Sequence, residues 1–165
     1  MSLVALVSMK SKDRNTHHGA VIVGQDNEIR STGYNSFVRG LDDNVEARQE
    51  RPEKYFFFEH AERNAIYNAA LCGIKLKGCR MFASGIPCAD CARGIIQSGI
   101  VEVIAFIRGS EHNVDLWNEH TKRTIEMFNE TGVKLRYYDE ELIDEIYLLT
   151  NGVKIKWTIK KEKKL

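Results

Sequence analysis

Proline is scarce in this 165-residue chain, with only two, and low-complexity runs are absent. A disordered or linker-built protein is therefore excluded. Neither sign of charge prevails, since 24 Lys and Arg stand against 23 Asp and Glu for a net charge of +1. Broad binders of nucleic acid or of membrane surfaces need a clear basic excess, so neither is expected as a stable partner. The longest purely apolar stretches run to about five to seven residues, such as 103–107, well short of the ~20 that span a bilayer. The first residues lack a charged segment leading into an apolar one, and the chain is expected to be made and kept in the cytoplasm. The hydrophobic fraction, 43%, is enough for a real core, and the length suits a single domain over 1–165.

In a cytosolic chain of this size the four cysteines, at 72, 79, 88 and 91, are not expected to form a disulfide framework, and their close spacing points first to metal ligation. Cys72 and Cys79 sit among Leu71, Ile74, Leu76 and Met81 and are expected as small buried hydrophobes. Cys88 and Cys91 form a C-x-x-C.

Apolar periodicity predicts alternating helices and strands. Residues 3–12 have helical spacing but begin abruptly, as they would if a few natural residues preceded them. Residues 19–23 and 28–34 read as a strand hairpin turning at 25–27, and 36–55 as a long polar loop of the kind that carries function. A helix over 59–71 ends at Gly73, a strand covers 80–84, and a helix over 88–98 ends at Gly99. Residues 101–107 suit a strand buried on both faces. An amphipathic helix is expected over 115–131, a strand over 133–138, a last helix over 140–149 and an edge strand over 153–159, followed by a charged tail. The core then spans about 3–138. The alternation predicts an α/β fold, a mixed sheet between helical layers.

His60-Ala61-Glu62 opens one helix and Pro87-Cys88-Ala89-Asp90-Cys91 the next, with 27 residues and a strand between His60 and Cys88. One imidazole and two thiolates make a soft donor set suited to Zn2+, and three protein ligands leave a fourth tetrahedral position for water. Both cysteines lie at a helix N-terminus, where the dipole favours thiolate. Pro87 fixes φ in the turn before Cys88. Glu62 stands about 200° around the first turn from His60, so it is a poor neighbouring ligand but is placed to reach the activated water. Its carboxylate would take the water's proton and return it to a ring nitrogen and a departing amine. Taken singly, each residue has a plain structural role: a helix-starting His, a redox C-x-x-C, a solvated Glu. A zinc ribbon needs a second C-x-x-C, which is absent, and a thioredoxin-like pair would follow the first strand rather than the third. The combination matches the H-x-E…P-C-x-x-C signature of zinc deaminases. His17 and His18 are read as a solvated or hydrogen-bonded pair, Trp117 as core, and His112 and His120 without a role.

The resemblance is narrower still. Ser11-Lys12-Asp13, the GAVIV run at 19–23, Ser31-Thr32-Gly33-Tyr34-Asn35, HAERNAI at 60–66, PCADCA at 87–92 and IIQSG at 95–99 resemble deoxycytidylate deaminases. That resemblance implies a three-layer α/β/α cytidine-deaminase-like fold with a five-stranded mixed sheet. It also implies conversion of dCMP to dUMP with release of ammonia, supplying dUMP for dTMP synthesis, and a homo-oligomer, a dimer or a hexamer. By resemblance His60, Cys88 and Cys91 match the zinc ligands and Glu62 the proton shuttle. Asn35 matches the asparagine that reaches the sugar, and the Ala61 backbone would face the base carbonyl. For the phosphate the long loop offers Arg39, Arg48, Arg51 and Lys54, of which Arg39 and Lys54 are carried forward as candidate contacts. Three alternatives stay open: a cytidine or deoxycytidine deaminase, which needs no phosphate cradle; a tRNA adenosine deaminase, which would favour a basic surface; and a scaffold subunit stapled by zinc, which would have no use for Glu62. The family's regulatory segment resembles Gly-Tyr-Asn-Gly with a proline two residues on; Ser36 and Val38 stand at those places here, so control by dCTP and dTTP is expected to be weak or altered.

Overall fold

The computed structural model describes residues 1–107, 119–142 and 146–157. Helix α1 (Ser2–Ser8) precedes the antiparallel pair β1 (Gly19–Val23) and β2 (Ile29–Tyr34). An arm follows: β3 (Ser36–Phe37), a 3₁₀ turn (Glu46–Gln49), α2 (Lys54–Phe57) and β4 (Phe58–Glu59). Then come α3 (Ala61–Leu71), β5 (Arg80–Ala83), α4 (Ala89–Gln97), β6 (Glu102–Phe106), α5 (Glu119–Thr131) and β7 (Lys134–Tyr138). A hairpin of β8 (Ile146–Thr150) and β9 (Val153–Trp157) closes the described chain.

The main sheet has the order β2-β1-β5-β6-β7. β1 is antiparallel to both β2 and β5, and β5, β6 and β7 run parallel, giving the mixed five-stranded sheet expected. The parallel pairs need crossovers, which α4 and α5 supply. Helix α1 packs on β1, where Gly19 lies under the Val4 carbonyl. The core lies between the sheet and the α3–α4–α5 layer: Ala20, Ile22, Met81 and Val103 from the strands meet Ala61, Ala65, Ala69, Ala92, Ile95 and Phe128 from the helices. The alanines of α3 recur every four residues and so form one small-residue face, which lets the helix sit directly on β2. Gly33 completes this fit, since a Cβ there would overlap the Ala61 carbonyl and the Ala65 amide. Ser31 Oγ donates to the Ala65 carbonyl at 2.7 Å on the same face.

Some expectations change. Residues 36–55 are not one loop: Ser36 and Phe37 pair with Glu59 and Phe58, and the Phe37 and Phe58 rings stand 4.2 Å apart. The helix expected over 140–149 is corrected, because residues 146–150 form β8. Asn151 and Gly152 between β8 and β9 have φ of 49° and 79°, the two-residue hairpin turn that Asn-Gly favours. β9 therefore pairs with β8 and is not an edge of the main sheet. Cys72, expected buried, is exposed at the end of α3, beside Leu71, which is 69% exposed; Cys79 is buried as expected. The start of the helix expected over 115–131, with Trp117, and also His112, Ile159 and the tail at 160–165 lie outside the described residues. No helix among the described residues is long and apolar enough to cross a membrane.

Candidate active site

Two helices start at the same end of the sheet. Gly33 holds the first turn of α3 against β2, so His60, in extended conformation just ahead of the helix (φ −77°, ψ 154°), is fixed at its N-terminus. β5 leads through Gly85, Ile86 and Pro87 to Cys88, which caps α4 in the same backbone conformation (φ −69°, ψ 167°). Thr124 of α5 braces that turn from behind, its Oγ1 donating to the Pro87 carbonyl at 2.8 Å.

This placement brings His60, Cys88 and Cys91 together. The Cys88 and Cys91 sulfurs are 3.6 Å apart, and each lies 3.5 Å from His60 Nδ1. A tetrahedral zinc with bonds of about 2.3 Å to sulfur and about 2.0–2.1 Å to nitrogen would set these edges at about 3.8 Å and about 3.6 Å. The three atoms therefore form one face of a zinc tetrahedron. Cys91 is buried, Cys88 partly so and His60 exposed, so the fourth direction opens toward solvent. Glu62, in the first turn of α3, puts its Oε2 3.6 Å from Cys91 Sγ, beside the triad and outside it.

The electrostatics suit a cation. The hydrogen bond with Cys91 and then the one with His60 draw the Cys88 thiol down to about 3, while the same Cys88 bond, aided by burial, pushes the Cys91 thiol up. The two thiols thus hold a proton between them that a divalent cation would displace. The bond to Cys88 also raises the pKa of His60. Arg63 is a neighbour that the sequence reading passed over. Its Nη1 lies 3.8 Å from Cys91 Sγ, while Nε donates to Glu59 Oε1 at 2.7 Å and Nη2 pairs with the same oxygen. The sequence signal was present in the i,i+4 spacing of Glu59 and Arg63 across the H-x-E motif.

The remaining candidates fall around this centre. Ala61 is fully buried at the start of α3. Asn35 is buried just past β2, with its side chain turned onto the segment before β1: Oδ1 accepts from the His18 amide at 2.8 Å, and Nδ2 donates to the Thr16 carbonyl at 2.8 Å and to Asp13 Oδ2 at 3.4 Å. Lys54 is buried in an ion pair with Asp13, its ammonium 5.2 Å from the Phe58 ring centre. Arg39 Nη2 donates to Asn68 Oδ1 at 2.6 Å. Arg48 and Arg51 lie over the rings of Phe57 and Tyr55, at 4.6 and 5.6 Å. The arm's cations are thus spent on protein partners rather than gathered at the triad.

Residues 1–107 match the model of the cytidine and deoxycytidylate deaminase zinc-binding region. The chain belongs to that family. Its metal is zinc, and the triad is the group placed to hold it. The chain is 38% identical to the deoxycytidylate deaminase of Homo sapiens over 143 residues, 84% of this chain and 76% of that one. It is 34% identical to an uncharacterized deaminase encoded in the luxG 3′ region of Aliivibrio fischeri, over 86% of this chain and 92% of that one. Among solved structures, the apo dCMP deaminase of cyanophage S-TIM5 is similar, with a TM-score of 0.63 and 25% identity over 82% of this chain and 91% of the phage protein.

Proposed function

We propose that this protein hydrolytically deaminates a cytosine nucleotide, converting dCMP to dUMP and ammonia. The observation that carries the reading is the His60–Cys88–Cys91 triad at tetrahedral edge lengths with the Glu62 carboxylate beside it. A structural zinc site is closed by four protein ligands and has no need of an adjacent free carboxylate. The similarity to the human deoxycytidylate deaminase supports the choice of dCMP.

Bound zinc supplies a Lewis acid that brings the pKa of water toward ~7. The protein groups carry the protons. Glu62 accepts a proton from the attacking water and delivers it to N3 of the base as oxygen adds at C4. It then takes the remaining proton from the new C4 hydroxyl and delivers it to the amino group, so that the C4–N bond breaks, the C4 carbonyl forms and ammonia leaves. We assign the Ala61 amide, at the N-terminus of α3, to the base carbonyl. Asn35, at the end of β2, is assigned to the sugar; its Oδ1 keeps one lone pair beyond the bond from His18.

A panel of dCMP, CMP, dCTP, deoxycytidine and adenosine, followed by ammonia release and loss of cytosine absorbance, tests this reading. dCMP is expected to be the best substrate. A nucleoside deaminase is the second reading, favoured by the engagement of Arg39, Arg48, Arg51 and Lys54 with protein partners, and equal turnover of deoxycytidine and dCMP would select it. Turnover of adenosine, or of nothing in the panel, would reject both. We further place the protein in the cytoplasm as a homo-oligomer, a dimer or a hexamer. The exposed Tyr55, Phe56, Tyr67 and Leu71 are apolar surface suited to a second copy, and sedimentation as an 18.9 kDa monomer at micromolar concentration would reject the assembly.

A further inference from the structure

One exposed imidazole at the active-site end of the sheet is held more firmly than a surface histidine needs. His18 stands just ahead of β1, between the end of β2 on one side and the end of β5 on the other. Its amide donates to Asn35 Oδ1 at 2.8 Å, and its ring Nδ1 lies 2.9 Å from Ser84 Oγ. Both partners belong to segments that lead into the site: Asn35 follows Gly33, which supports Ala61, and Ser84 stands four residues before Cys88. Backbone and ring are thus pinned independently, yet the side chain remains open to solvent.

The bond to Ser84 also orients the ring. Ser84 Oγ accepts the Gly19 amide at 3.1 Å, so its own hydrogen is free to point at His18 Nδ1. A ring that accepts at Nδ1 carries its proton on Nε2. That Nε2–H has no partner among the described residues, and it forms a fixed donor at the rim. The described cations nearby are committed elsewhere: Arg39 to Asn68, Lys54 to Asp13 and Arg14 to Glu46. A monoanionic or dianionic oxygen group arriving with its base at the triad and its sugar at Asn35 would meet this donor.

We propose that His18 is the residue that recognises the 5′-phosphate of the substrate, donating from Nε2 to a phosphate oxygen, and that Ser84 is its positioning residue. This rests on the reading of the site as a cytosine-nucleotide deaminase and assigns the specificity within it. A lost hydrogen bond to a charged group corresponds to about 10- to 100-fold in binding.

The test compares dCMP with deoxycytidine on zinc-loaded wild type, His18→Ala, His18→Gln and Ser84→Ala. Zinc content and thermal unfolding are measured on each. His18→Ala is expected to lower kcat/KM for dCMP about 10- to 100-fold through KM, with a change of no more than about twofold for deoxycytidine. His18→Gln, which keeps an N–H donor, is expected to recover part of the loss. Ser84→Ala should move the same ratio in the same direction by a smaller factor. Equal losses on both substrates would show His18 to be a structural pin of the rim and overturn the proposal, as would an unchanged KM for dCMP. Failure of the wild type on every cytosine substrate would instead overturn the underlying functional reading.

Discussion

Glu62 Oε2 stands 3.6 Å from Cys91 Sγ, and His60 Nδ1 stands 3.5 Å from the same sulfur, so the carboxylate lies beside the metal triad. The two-residue step from His60 to Glu62 produces this, because it carries the second side chain past the ligand without returning it to the same helix face. Glu62→Gln preserves shape and removes the titrating proton. The variant is expected to fold and to retain about one zinc per chain while kcat falls by ~10²–10⁴. Metal analysis together with the dCMP rate checks this. Near-full activity would show that another group moves the proton.

Asp13 and Lys54 lie 41 residues apart in sequence and form a buried ion pair that ties the arm to the segment before β1. Burial opposes the Asp13 charge, yet the Lys54 ammonium and the amides of Asn15 and Thr16 hold its pKa below the ordinary carboxylate value. With the folded pKa depressed, the associated stability is fully present above the unfolded value of ~3.9 and is lost as pH falls through the folded one. Lys54→Met leaves a buried carboxylate without its partner and should cost about 3–5 kcal/mol at neutral pH. The gap between wild type and variant should narrow as pH falls and the variant's unpaired Asp13 takes up a proton. Thermal unfolding from pH 3 to 7 measures both; a gap independent of pH would mean that Asp13 charge is not what Lys54 stabilises.

The zinc triad was legible in the sequence because local geometry sets it: a C-x-x-C at the start of a helix and an H-x-E at the start of another need only be brought to the same end of a sheet. The mixed sheet between helices was legible in outline, since the α/β alternation forces parallel crossovers. Pairings between distant segments were not. Nothing in residues 36–55 announces that Lys54 will be buried by Asp13, and the arm's cations read as available for phosphate until their partners Asn68, Phe57 and Tyr55 are seen. The stretch before Asn151 is apolar enough for helix or strand. The Asn151-Gly152 turn decides for strand, a signal that the sequence reading passed over.

Gly33 is the contact through which the sheet positions α3. Gly33→Ala would drive a Cβ into the Ala61 carbonyl and the Ala65 amide, neither of which belongs to a flexible side chain. The helix start must shift, at about 1–3 kcal/mol for overpacking. Because His60 immediately precedes that turn, zinc affinity should fall together with Tm. Competition for zinc by a chelator, read beside thermal unfolding, checks the coupling; a loss of Tm with unchanged zinc affinity would separate Gly33 from the metal centre.

Ser36 and Val38, which stand where the resemblance led one to expect a glycine and a proline, are tied into the arm. Ser36 and Phe37 pair with Glu59 and Phe58, Asn64 Nδ2 donates to Ser36 Oγ at 3.3 Å, and the Val38 amide donates to the Phe57 carbonyl at 2.9 Å. A proline at 38 could not make that last bond, and a glycine at 36 would remove the hydroxyl that Asn64 holds. The segment is therefore laced to β4, immediately ahead of His60, before any effector arrives. Wrapping it around a nucleoside triphosphate would require breaking these pairings, which sets the free energy of the rearrangement against binding. The rate is accordingly expected to rise hyperbolically with dCMP concentration and to change little when dCTP or dTTP is added. Initial rates over a range of dCMP, with and without each triphosphate, measure this. A sigmoidal curve that dCTP straightens and dTTP deepens would show that the laced segment opens readily and that triphosphate control is intact.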